Sequence, residues 1–491
     1  MCDKKYLSEI LWKIFLMSSI ILAVIPMVLC ATGNVLSADP SYYLSIVERI
    51  SEGKTLYGDI RCGYTPLWFY LMLGWKSLFS IPSGSEEMYY VLHFLMQLGA
   101  AFFLYKIIRR MDVDSKIAYF CAWLFVMMGH SMEGNFLILE VSSVMFGLLA
   151  VWLVMAQKNR TMSILFAGIA TACSFLCKQY GLGYFFLCIF LLWFGSKNGR
   201  GKIFVFVLGF LLPVLLCLLI WRQDFVSNIL LNGYGTSVDE ARGVKFSDKM
   251  GWIIGSGKYL FFRSAIVLLP TLLFIPLLVK EKKAMWIIFS WCGLFGFLMA
   301  NYFVFGLPRY LLLTLPFAMM LIALTLSVLP KSGKLLCIVF VLSLLHTTLY
   351  SVGVTYYKRV WEVYLHQEQK ELRERIADDV KKHIRPNATL WTPNCALCFV
   401  YYLSNSTPPN LATIGYAFGS GMTRDMAMEQ AKSADYVLCF DMEKAEHYFT
   451  PELTSFIRSH EAIYVDTTNI IGYLGQTGNI VLYDMSKMKS E

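Results

Sequence analysis

A chain of 491 residues that is 57% hydrophobic and only 16% charged, with mean hydropathy +0.55, is too apolar for a soluble protein. Its net charge of +9 does not signal nucleic acid, because the basic residues fall in short loops between apolar runs, where they set topology. The 13 cysteines lie mostly inside those runs, where Cys packs as a small hydrophobe, so no disulfide framework is expected.

Crossing the hydrocarbon core takes roughly 20 mostly apolar residues. On that measure the sequence predicts a polytopic α-helical membrane protein of about eleven transmembrane helices. They fall near 10–31, 88–108, 116–133, 138–156, 162–177, 181–195, 203–221, 259–279, 284–303, 310–329 and 335–354. Lys4 and Lys5 ahead of the first run give it the look of a signal peptide, but no clean small-x-small site follows, so a retained signal-anchor helix is expected. Basic clusters at Lys4-Lys5, Lys106 to Lys116, Lys158 to Arg160, Lys197 to Lys202, Lys280 to Lys283 and Lys331 to Lys334 all fall on one side. By the positive-inside rule that side is cytoplasmic. An odd number of spans then puts the C-terminus outside a cell membrane crossed many times, with the N-terminus in the cytoplasm.

The first outer loop, 32–87, is unlike anything after it. It opens at Asp39-Pro40-Ser41-Tyr42-Tyr43, passes Glu48-Arg49 and Gly53, then Leu56-Tyr57-Gly58-Asp59, and reaches Tyr64-Thr65-Pro66-Leu67. Asp39 and Pro40 suit the N-cap and N1 positions of a helix. Two amphipathic stretches, Tyr42 to Ile50 and Leu67 to Phe79, are expected to lie in the membrane interface. A second outer loop, 222–258, carries Asn232-Gly233-Tyr234-Gly235 and mixed charge and is expected to move.

After about 358 the composition becomes that of a soluble α/β unit. The chain thus divides into a transmembrane part, 1–358, and an extracytoplasmic part, 359–491. Leu365, Leu372, Ile376, Val380 and Ile384 recur at helical spacing, and Arg385-Pro386-Asn387 ends that helix. Strands are expected at Thr389 to Trp391, Tyr436 to Phe440, Ala462 to Val465 and Ile480 to Tyr483, alternating with helices at Arg424 to Ser433 and Glu452 to Ser459. Cys395 and Cys398 form the one C-x-x-C. No thioredoxin-like βαβ pattern surrounds it, so two half-buried thiols are the simpler reading.

Charges at the outer ends of spans are costly and few. Here they are Asp39, Glu133, Glu140, Lys178 and Arg309, with Arg263 near the start of the eighth span. Their shared level suggests one outward-facing site. Lys178 could equally snorkel to the interface, and Glu133 could be an ordinary loop acid. His130 stands alone, and neither metal-ligand spacing nor a nucleotide-binding glycine loop occurs on this face.

Read in order, Asp39, Gly53-Lys54-Thr55-Leu56-Tyr57-Gly58-Asp59 and Thr65-Pro66-Leu67 resemble the opening of GT-C glycosyltransferases that use polyprenyl-phosphate sugars. Protein O-mannosyltransferases and the aminoarabinose transferase of lipid A belong to that group. The resemblance continues through Ala167-Gly168 to Cys177-Lys178-Gln179 and through Arg309-Tyr310 to Pro316. Many relatives carry Glu directly after the Asp. Pro40 stands there in this chain, so any second acid falls to Glu133 or Glu140.

The resemblance implies a GT-C-like fold with a C-terminal extracytoplasmic α/β domain. It also implies transfer of a sugar from a polyprenyl-phosphate carrier to a lipid, glycan or protein acceptor outside the cytoplasm, with inversion. Asp39 would be the general base. Substrate contacts would come from Lys178, Arg309, Tyr310, Glu140, Glu133, Tyr57, Asp59 and Tyr42. Partners are then the donor lipid, its acceptor and membrane lipids, with no nucleic acid. No cofactor is implied beyond the lipid-linked donor, and nothing in the sequence either requires or bars a divalent metal. A transporter or flippase is the other class open to such a chain, but it would put its ionisable residues near the bilayer midplane and show internal repeats.

Overall fold

The computed structural model describes the backbone of residues 4–33, 38–60, 62–82, 85–156, 161–195, 199–231, 245–303, 308–357, 368–394, 397–404, 406, 424–440, 451–471 and 477–488. An apolar helix occupies each of the eleven stretches read as spans. They are α1 (Lys4–Gly33), α4 (Glu87–Arg110), α5 (Ser115–Ser131), α6 (Leu139–Ala156), α7 (Thr161–Cys177), α8 (Gly183–Gly195), α9 (Gly199–Phe225), the pair α10 (Phe246–Ser264) and α11 (Leu268–Lys280), α12 (Ala284–Met299), α13 (Leu315–Val328) and α14 (Lys334–Tyr357). Among the described residues, four helices are long and apolar enough to cross a membrane, or five counting α10 and α11 as one. Five more apolar helices are 10–17 residues long.

One expectation is corrected here. The stretch 259–279 is not one straight span, because α10 and α11 meet at 92°. Pro270 falls in the first turn of α11, where its missing N–H needs no partner, so the break comes ahead of it. The freed Val267 N–H donates to Thr347 Oγ1 at 3.3 Å. The stretch 222–258, expected to move, is helical over most of its described residues. α9 runs to Phe225, a π-turn follows over Val226–Leu231, and α10 begins at Phe246. Asn232 to Gly235 lie outside the described residues.

Proline and glycine shape the bundle at two places. Pro26 inside α1 cannot donate to the Leu22 carbonyl one turn back; Tyr356 donates its hydroxyl there at 3.0 Å. Where α7 crosses α9, a Cβ on Gly168 would lie 2.1 Å from the Phe206 carbonyl oxygen, and one on Gly209 would lie 2.2 Å from that of Leu165. Only hydrogen at both positions lets the backbones approach this closely, as small residues do between membrane helices.

The first outer loop folds into α2 (Ala38–Ser51) and α3 (Leu67–Phe79). α2 presents no free apolar face, because Tyr42 through Ile50 are buried without exception. Its second cover comes from α16 (Phe399–Leu403), some 350 residues away, which local amphipathicity could not reveal. α2 is already helical at Ala38, so Asp39 lies inside it rather than capping it.

Beyond α15 (Glu368–His383) the chain forms a four-stranded sheet in the order β1-β2-β4-β3. The strands are β1 (Leu390–Trp391), β2 (Tyr436–Phe440), β3 (His460–Ile471) and β4 (Thr477–Met488). β1 and β2 are parallel and the other pairings antiparallel, with Phe440 opposite Ile480 and Tyr464 opposite Leu482. Alternation sorts the sheet's side chains. Leu390, Tyr436, Leu438, Ile480 and Leu482 join the core shared with α2, α15, α16 and the bundle. Trp391, Val437, Cys439 and Val481 face α17 (Arg424–Ser433) and α18 (Pro451–Arg458).

Candidate active site around Lys178 and Glu140

The segment joining α7 to α8 sets the centre of the site. At Lys178 the backbone leaves the helix for an extended conformation (φ −154°, ψ 132°), then turns tightly, with Gly181 N–H donating to the Lys178 carbonyl at 2.8 Å. Gly181 is required there, since a Cβ would fall 2.4 Å from the Ser174 backbone. The turn sends the Lys178 ammonium inward to Glu140 Oε1, in the first turn of α6, at 3.1 Å. Both residues are almost fully buried, at 3% and 1% exposure. The other Glu140 oxygen, Oε2, is buried without a hydrogen-bond partner among the described residues. Two charges removed from water need each other, and removing one partner of such a pair typically costs about 3–5 kcal/mol.

Tyrosines enclose the pair. The Lys178 ammonium lies 4.6 Å from the ring centroid of Tyr64, 5.4 Å from that of Tyr310 and 5.8 Å from that of Tyr180. Tyr64 packs edge-on to Tyr43 at 5.6 Å and to Tyr42 at 6.1 Å, which extends the cage up to α2. Burial holds the Tyr43 and Tyr64 hydroxyls well above the ordinary phenol range, reinforced by neighbouring tyrosines and Glu140. Both therefore stay neutral and able to donate.

Arg309 is the second residue of the 3₁₀ turn Pro308–Leu313 and is buried. Its guanidinium carbon lies 5.5 Å from the Tyr310 centroid, so one ring contacts both cations. Arg263 stays apart, between Tyr259 and Tyr350. Glu133 lies half-buried in the turn after α5 at a positive φ of 69°, and the adjoining Gly134 carbonyl accepts from His93 Nε2 at 2.9 Å.

The remaining loop residues build the support. Asp59 accepts from the Thr55 N–H and hydroxyl, both at 2.7 Å, which ties the turn 55–60 together. Those bonds hold its carboxyl below the usual carboxylate range. Tyr57, at φ 71°, donates to the Tyr64 carbonyl at 2.7 Å and packs against Trp221 and Phe225. Gln179 Nε2 donates to the Gly63 carbonyl at 2.7 Å, pinning the same loop from below. Asp39 lies one helical turn before Tyr42 and Tyr43 on α2. Its side chain lies outside the described residues, as does all of Cys395, whereas Cys398 is buried at the start of α16.

Sequence reasoning put Glu140, Lys178 and Arg309 at one level, and the structure gathers Lys178, Glu140 and Tyr310 with Arg309 beside them. It missed Tyr180 and Gln179. Their signal was adjacency to a lysine at the end of a span.

No family model matches this sequence, and no curated protein matches it. Its fold is similar to ArnT from Cupriavidus metallidurans bound to undecaprenyl phosphate, at TM-score 0.58 and 13% identity, covering 96% of this chain and 97% of that one. The same protein in the apo state gives TM-score 0.54 at 11% identity over 97% and 99% of the two chains. The arabinofuranosyltransferase AftD from Mycobacteria gives TM-score 0.51 at 11% identity, covering 97% of this chain but 40% of AftD. The fold is therefore that of a multi-pass GT-C membrane protein.

Proposed function

We propose that this protein is an integral-membrane glycosyltransferase that moves a sugar from a polyprenyl-phosphate carrier to an acceptor outside the cytoplasm. One observation carries the reading: a buried, cation-centred tyrosine cage closes under α2, the helix that carries Asp39 in its first turn, in a fold shared with a protein solved with undecaprenyl phosphate. A lipid phosphate replacing or extending the Glu140 contact would meet Lys178 as a point charge and Arg309 as a fork, the two across one ring. Both would stabilise the phosphate as it leaves. Asp39 would take the acceptor hydroxyl's proton during in-line attack at the anomeric carbon, giving inversion. Donation from the neutral Tyr43 and Tyr64 hydroxyls would orient sugar or phosphate oxygens.

Under this reading the cage faces the outside, the N-terminus is cytoplasmic, and residues 359–491 form an extracytoplasmic unit. The test is sugar transfer by the purified protein from undecaprenyl-phosphate-linked sugar to an envelope extract, followed by mass spectrometry. Replacing Asp39 with Asn should slow transfer by about 100- to 10,000-fold. Unchanged transfer would remove Asp39 as base, and movement of the lipid across vesicles without transfer would favour a flippase.

A further inference from the structure

The end of the bundle opposite the cage carries a second built feature. α4 and α5 run away from and back to the site, so Arg110 and Ser115 mark the far end, while His93 and Gly134 meet at the near one. At the far end α1 touches α5 along a single seam. Trp12 packs on Tyr119 at 5.7 Å, Phe15 on Trp123 at 5.6 Å, and Trp123 Nε1 donates to the Ser19 carbonyl at 3.0 Å.

An apolar groove runs on each side of this seam. One, of about 560 Å³, is closed by α4 and lined by residues such as Leu16, Ala23, Leu98, Ala101 and Phe102. The other, of about 490 Å³, is walled by Phe15, Phe120, Leu326 and Leu344. Both grooves reach the same two residues, Trp12 and Lys116. The Lys116 ammonium stands 5.4 Å from the Trp12 ring centroid, and no ion pair engages it among the described residues. Asp114, its nearest acid in sequence, accepts from the Lys116 backbone N–H at 2.8 Å as the cap of α5. Lys106, Arg109 and Arg110 add positive charge at this end.

The dimensions fit a leaflet. From Trp12 to Val24 the first groove follows α1 for roughly 18 Å at about 1.5 Å per residue, and one leaflet of a ~30 Å core is ~15 Å deep. Two acyl-sized grooves that converge on a cation with no ion pair among the described residues, and an aromatic beside it, match a two-tailed lipid with a negative headgroup.

We propose that this end binds one anionic diacyl phospholipid, its phosphate at Lys116 and one acyl chain in each groove flanking the α1–α5 seam. The site is distinct from the cage, which lies at the other membrane face, and does not depend on the sugar-transfer reading.

The test is native mass spectrometry of the full-length, delipidated protein titrated with phosphatidylglycerol or phosphatidylcholine of identical acyl chains. One phosphatidylglycerol should bind about tenfold more tightly than phosphatidylcholine. K116E should abolish that preference, while K282E, an exposed lysine outside both grooves, should retain it. A101F should weaken binding of both lipids by filling the larger groove, and circular dichroism verifies that each variant is folded. Equal affinity for the two lipids, or a preference that survives K116E, would overturn the proposal.

Discussion

At the scale of residues, the Lys178–Glu140 pair is held by enclosure rather than by solvent, so its two halves are not independent. Lys178→Met strands a buried carboxylate and Glu140→Gln a buried ammonium, and each should lower stability by about 3–5 kcal/mol. The double variant should recover much of that loss, as read from thermal unfolding in detergent; additive losses would show the pair to be uncoupled. Asp59 gives a pH-dependent counterpart. Its folded pKa is depressed by the Thr55 bonds, so their contribution is present above the unfolded value of about 3.9 and fades as pH falls through the lower folded one. Exchange of the Thr55 amide, corrected for its intrinsic rate, should therefore accelerate under acid and at neutral pH in Asp59→Ala. The sequence exposed these charges because ions at span ends are rare. Of the rings around Lys178 it reached Tyr310 through the family resemblance alone and assigned no site role to Tyr180, since tyrosines in a membrane protein are common and only the fold decides which ones face a cation.

Elements were legible where one periodicity ruled them. The apolar runs became helices, and the four short β-rich runs became strands. What was not legible depended on partners distant in the chain. α2 has the composition of an interfacial helix and is buried because α16 covers it; the α10–α11 bend rests on Pro270 and on a hydroxyl supplied from α14. The α7–α9 crossing is a sharper test of an element-level claim. Gly168→Val pushes a side chain into the Phe206 carbonyl, and overpacking of this kind costs typically about 1–3 kcal/mol, more where backbone must move. Gly201→Val, a position with open space, should leave thermal stability unchanged.

For the molecule as a whole, the polar ties between the 32–87 loop and the C-terminal segment matter most. Arg373 pairs with Glu86 at 3.0 Å, and Tyr402 donates to that same carboxylate. Arg49 on α2 donates to the carbonyls of Tyr401, at 3.2 Å, and Ser406. Replacing Arg373 with Met leaves Glu86 buried without its cation. Hydrogen exchange across residues 397–404 should then rise well before the bundle melts, whereas Arg385→Met, at an exposed pair, should leave it unchanged.

The burial of α2 also bears on how such proteins can be recombined. Helix α2 is a middle layer, with the bundle beneath it and residues 397–404 above. Segment exchange between relatives therefore has a natural unit that is discontinuous in sequence. A graft of residues 368–491 alone would set a foreign surface against Arg49 and Glu86, and the matching piece must carry the first outer loop with it.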